Sequence, residues 1–153
     1  MVFEKALRIL ALCAGAVLMG LMGLIAFDVV MRYGLRIPFL GAYEMTELAM
    51  ALIVFLALPY CAATHGHVAV DVLGPWLDRP AWRWLNVLVA LAGAALTGVM
   101  AWETARYAFA SRVRGDATNM LRIDLFPFQL VAGISLALFS AVLLHQAWKA
   151  LRK

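Results

Sequence analysis

Charge is what this sequence has least of. Asp, Glu, Lys and Arg make up 14% of its 153 residues, and hydrophobic residues make up 65%. A soluble domain is about a quarter charged and about half apolar. Mean hydropathy is +0.89, so composition alone predicts a membrane protein. Cations are too few and too scattered for a nucleic-acid surface. The net charge is +4, and the basic residues stand at the ends of apolar runs. That placement suits phospholipid headgroups and gives membrane lipid, not nucleic acid, as the partner.

Cysteine is scarce as well. Cys13 and Cys61 both lie inside apolar runs, with no CxxC and no metal-ligand spacing. A thiol redox enzyme needs paired cysteines in a loop, so both read as small buried residues. No phosphate loop, no flavin or nicotinamide fingerprint, no repeat and no low-complexity stretch occurs. The apolar-run hydroxyls Thr64, Thr97, Ser135 and Ser140 have no His–Asp arrangement beside them. Such hydroxyls bond the preceding turn or a neighbouring helix. The chain reads as a non-enzyme without catalytic, substrate-binding or metal residues and without a cofactor.

What is present is four charge-free runs: Ile9 to Phe27, Leu48 to Thr64, Trp84 to Trp102 and Leu125 to Leu144. Each is close to the roughly 20 apolar residues that cross a bilayer as a helix. The runs predict spans at about 6–33, 42–65, 82–110 and 126–149. The fold class is an all-α integral membrane protein with four transmembrane helices in one domain, 1–153. The first run is too long for a signal-peptide core and ends in Asp28 and Arg32, so it reads as a retained anchor. Between helices 2 and 3, Val68, Val70 and Val72 alternate with Ala69 and Asp71, and Trp76, Trp82 and Trp84 follow. Trp clusters favour the headgroup level, so this loop reads as an interfacial segment. Basic residues divide almost evenly between the two sides and leave orientation open.

Three histidines raise the question of a haem. Axial ligands must face each other from different helices within the apolar slab. His65 and His67 stand two apart at a helix end, and His145 lies near the end of helix 4. These positions suit helix capping or loop contacts better than haem. A haem- or quinone-binding membrane anchor of a redox complex is the alternative reading. A small drug–proton antiporter would carry an acid deep in its first helix, and none stands between Ile9 and Phe27.

Ionisable groups gather instead at one rim. Asp28 and Arg32 end helix 1, Glu44 and Glu47 open helix 2, and Glu103 and Arg106 stand toward the end of helix 3. Up-and-down topology brings these ends to one side. Two pairings are open: each arginine pairs within its own helix, or Arg32 and Arg106 bridge Glu44 and Glu47 across helices. Small residues at i, i+4 spacing form strips: Gly133, Ala137 and Ala141 on helix 4, Gly93–Thr97–Ala101 and Ala94–Gly98 on helix 3, and Ala16–Gly20 on helix 1. Helices in lipid associate where small side chains let backbones approach, so these are candidate packing faces.

Several of these pieces belong to one pattern. Glu44 opens the second apolar helix, and Gly66-His67-Val68-Ala69-Val70-Asp71 follows its end. Asp28-Val-Val-Met-Arg32-Tyr33 precedes them, and Leu121-Arg122-Ile123 stands before Pro127. The pattern resembles the small membrane (Q-type, DctQ-like) subunit of tripartite ATP-independent periplasmic (TRAP) transporters. The resemblance implies a scaffold beside a large multi-span membrane transport subunit. It implies a periplasmic substrate-binding protein that delivers an organic acid, with uptake driven by sodium. It further implies a bacterial inner-membrane location with both termini in the cytoplasm. Glu44, His67 and Asp71 are then family positions of structural weight.

Overall fold

The computed structural model describes residues 2–37, 39–64 and 83–152. Its four long helices are α1 (Val2–Val30), α2 (Ala42–Ala63), α3 (Arg83–Arg114) and α4 (Phe126–Arg152). All four are long and apolar enough to cross a membrane. The interfacial segment expected between the second and third spans, with His65, His67 and Asp71, lies outside the described residues.

The helix ends have local causes. α1 runs into a π-helical turn, Met31–Leu35, and stops where Arg36 turns left-handed at φ 59°. α3 continues past the expected end at residue 110, because its stop signal is Gly115. That glycine takes φ +71°, which side chains resist. Its N–H donates to the Arg112 carbonyl at 3.3 Å, and the Asp116 N–H donates to the Ser111 carbonyl at 3.1 Å. This pair of bonds is the Schellman termination, which satisfies carbonyls the helix leaves open. α4 begins with Pro127 in its first turn, where a missing N–H costs nothing.

The helices form an open row and not a closed bundle. α1 packs on α2, α2 on α4, and α4 on α3. Among the described residues no other pair of helices shares more than a marginal contact. α2 and α4 are the inner helices, and α4 is the most buried of the four: 39% of its apolar span is buried within the chain, against 11% for α1 and α2 and 17% for α3.

Small residues set the α3–α4 contact. Val87, Ala94, Ala101 and Ala108 recur every seven residues along α3 and are all buried. That heptad spacing holds one seam against a neighbouring helix. Gly133 of α4 sits so close that a Cβ would stand 3.6 Å from the Ala101 carbonyl oxygen. Ser140 donates across the seam to the Ala94 carbonyl at 2.8 Å. Ala137 and Ala141, spaced on from Gly133, remain exposed in this chain. On α1, nothing stands within 4 Å of a Cβ built on Gly20.

At the end of the row that holds the termini, Leu7, Ala62, Phe139 and Val142 form a buried cluster from α1, α2 and α4. Gln146 donates to the Ala62 carbonyl there at 2.8 Å, covering an acceptor at the end of α2. For His145 the sequence suggests helix capping or a loop contact. That histidine is exposed, and its neighbour Gln146 does the capping.

Candidate functional site

The opposite end of the row carries the charged rim. Glu44 is the third residue of α2, in its first turn, and is only 9% exposed. Its two carboxylate oxygens accept from consecutive backbone N–H groups of the α3–α4 loop. Met120 donates to Oε1 at 2.7 Å, and Leu121 donates to Oε2 at 2.9 Å. An ionised carboxylate has acceptor lone pairs on both oxygens and suits this double contact. Adjacent N–H groups in a turn form an anion-binding concavity, and here Glu44 fills it.

The loop is shaped to present those groups. Ala117 and Asp124 form an antiparallel bridge. Inside it the Thr118 N–H donates to the Ile123 carbonyl, and the Ile123 N–H donates to the Thr118 hydroxyl, both at 3.0 Å. Arg122 completes the turn with a left-handed backbone, φ 50°. Leu121 then comes down on Gly41, where a Cβ would stand 2.8 Å from Leu121 Cδ1. Glycine at this position lets the loop close over the start of α2.

Asp28 does similar work for the first loop. It accepts from Arg32 at 2.8 Å and from the Phe39 N–H at 3.3 Å. One carboxylate thus ties the end of α1 to the approach of α2. Arg106 pairs with Glu103 at 3.0 Å, both side chains being more than half exposed. Glu47 is exposed and makes no ion pair among the described residues. Of the two pairings left open by the sequence, the structure forms the local one. The cross-helix bridge is not made, because Glu44 is taken by the loop and Arg32 and Arg106 each have an acid one turn away on their own helix.

Two contacts had no reading in the sequence, and a third gives one of the expected apolar-run hydroxyl bonds its partner. Arg114 grips Asp116 through Nε at 3.1 Å and Nη2 at 2.8 Å. That grip holds the Asp116 carboxyl below the ordinary aspartate range, against the opposing push of partial burial. Arg112 lies over the Phe126 ring, 5.0 Å from its centre, beside the Phe109–Phe126 ring contact. Within the span, Ser135 of α4 donates to the Phe55 carbonyl of α2. Pro59 has no N–H, so that carbonyl lacks its donor four residues on. A proline in a spanning run is the signal that could have led to a polar neighbour. Among the described residues no group of three or more His, Cys, Asp or Glu could hold a metal ion.

Side-chain chemistry here is used to hold loops and helix ends, inside four spans with mostly uncovered apolar faces. That defines a multi-pass membrane protein. Residues 21–153 match the family described as tripartite ATP-independent periplasmic transporters, DctQ component, and the chain belongs to that family. It is a TRAP transporter small permease subunit, and the family is a transporter component, not a redox anchor. No curated protein and no solved structure matches the chain.

Proposed function

We propose that this chain is a non-catalytic scaffold that braces the large transport subunit of a TRAP system. The system takes up an organic acid, driven by sodium and supplied by a periplasmic binding protein. It sits in the bacterial inner membrane with both termini in the cytoplasm and the Glu44 rim toward the periplasm. Family membership supports the partners.

The open row of helices carries the scaffold role. Three of the four spans leave more than four-fifths of their apolar length unburied within the chain. Such a raft has a large face for another subunit. Ionisable groups do not serve transport by this chain alone. On the described helices they stand toward the ends: Lys5, Arg8 and Asp28 on α1 with Arg32 in the π-helical turn after it, Glu44 and Glu47 on α2, Glu103 to Arg114 on α3, and His145 and Lys149 on α4. A translocation path through lipid depends on such groups at depth. Asp28, Glu44 and their loops instead give a braced outer surface, beside which Glu47, Arg36 and Arg122 stand exposed for contact with partners.

Reconstitution tests this. Liposomes holding only this chain should take up no organic acid, with or without a sodium gradient. Adding the large subunit and the binding protein should give uptake that collapses when the gradient is removed. Uptake by the single chain would overturn the reading.

A further inference from the structure

Two cavities follow one another along the α3–α4 seam. The outer one, about 320 Å³, lies at the loop end and is lined by Ser111, Arg112, Asp116, Asp124 and Phe126. The inner one, about 360 Å³, is an apolar groove lined by Trp102, Phe109, Leu130 and Ile134 together with the small residues Gly98 and Ala137. Helical spacing makes them one track. Gly98, Trp102, Ala105, Phe109 and Arg112 recur every three or four residues along α3, and Phe126, Leu130, Ile134 and Ala137 do so along α4.

The outer cavity gathers three groups without a protein partner of matching kind. The Ser111 hydroxyl is fully buried and completes no hydrogen bond among the described residues. It lies close enough to favour the charged form of Asp116 without completing a bond to it. Arg112 touches the Phe126 ring but pairs with no carboxylate among the described residues. Asp124 pairs with no cation among the described residues. Asp116 differs, since Arg114 neutralises it at 2.8 Å. A buried hydroxyl left unbonded marks a place where a ligand atom belongs.

A free cation, a free anion and a hydroxyl around one cavity fit a zwitterion. We propose that this seam binds a phospholipid with a phosphoethanolamine headgroup. The phosphate accepts from Arg112 and Ser111, and the ammonium donates to Asp124. An acyl chain runs down the apolar groove, where Gly98 and Ala137 leave room for it. A choline headgroup has no N–H to donate to Asp124, and a glycerol headgroup brings no cation to it. The site is independent of the transport role proposed above.

The full chain is placed in nanodiscs of phosphatidylethanolamine, phosphatidylcholine or phosphatidylglycerol, then released into mild detergent. Native mass spectrometry counts the lipid retained. Phosphatidylethanolamine should be held about fivefold or more over the other two. Arg112→Gln should lower its retention about tenfold, and Arg112→Lys should recover part of the loss. Asp124→Asn should erase the preference over phosphatidylglycerol. Ala137→Phe, at an exposed position, should lower lipid retention while leaving binding of soluble phosphoethanolamine unchanged. Unchanged circular dichroism keeps these comparisons valid. Equal retention of the three lipids, or no response to Arg112→Gln and Asp124→Asn, would overturn the proposal. So would lipid retention indifferent to Ala137→Phe, which would leave only a small-molecule pocket. Release of the lipid when the large subunit joins would assign the groove to a partner helix and overturn it as well.

Discussion

The Ser135 hydroxyl of α4 donates to the Phe55 carbonyl of α2, the acceptor that Pro59 leaves open. Lipid offers no water to satisfy such a carbonyl, so the proline and the serine form one unit across two helices. The bond also joins the two inner helices of the row.

Ser135→Ala should therefore cost about 1 kcal/mol of stability in detergent. In a Pro59→Ala background residue 59 has its own N–H, and the same change should cost close to nothing. The coupling in that double-mutant cycle is the measurement. A loss of equal size in both backgrounds would mean that Ser135 acts only by packing.

Glu44→Gln should loosen the α3–α4 loop without unfolding the spans. A glutamine amide turns one acceptor oxygen into a donor, so the Met120 and Leu121 N–H groups compete for what remains. Hydrogen exchange at these two amides should quicken by about tenfold or more, with amides in the middle of α4 unaffected. Exchange that quickens everywhere would point to global destabilisation instead.

Asp116 should show a dependence on acid. Its carboxyl is held low by the hydrogen bonds from Arg114, so its folded value lies below its unfolded one. The stability it contributes is then present above the ordinary aspartate range, about 3.9, and is lost as pH falls through the lower folded value. Carboxyl-carbon NMR should find Asp116 still charged when unperturbed aspartates are half protonated. Arg114→Gln should move its titration up toward the ordinary value. An Asp116 titration that ignores Arg114→Gln would contradict the pairing.

Two glycines should separate contacts within the chain from contacts with a partner. Gly133→Ala places its Cβ at ordinary contact distance from α3 and should be tolerated, whereas Gly133→Leu should wedge the seam at about 1–3 kcal/mol. Gly20→Leu meets nothing in the chain and should change its melting little, within about 0.5 kcal/mol. The same Gly20→Leu protein should co-purify less with a large membrane subunit. Unchanged co-purification would turn that face of α1 toward lipid.

Much of the architecture was legible early because it depends on length and polarity. A charge-free run near 20 residues has few fates other than a span, and three of the four helix starts fall where the runs predicted. The rim was legible for the same reason, since charges stay near the ends of spans. Its wiring was not. Glu44 binds the N–H groups of Met120 and Leu121, and a backbone N–H is the same whatever side chain stands beside it. No residue pattern names that partner, so the sequence offers Glu44 an arginine only as one of two open pairings. Arg114 and Asp116 were also passed over, although two residues apart, because nothing in the loop's composition says that Gly115 would turn one toward the other.

The sequence by itself determined that this chain lives in a membrane, that it crosses as four helices, and which charges lie at which end. Those properties follow from transfer of apolar side chains and peptide groups out of water, which each segment undergoes almost alone. Tertiary structure alone decided the order α1–α2–α4–α3, the closure of the loop over Glu44, and the pairing of Ser135 with Phe55. In lipid every face of a span is apolar, so hydrophobic pattern does not say which helix meets which. That choice falls to the fit of small residues and to the few polar groups that must find each other.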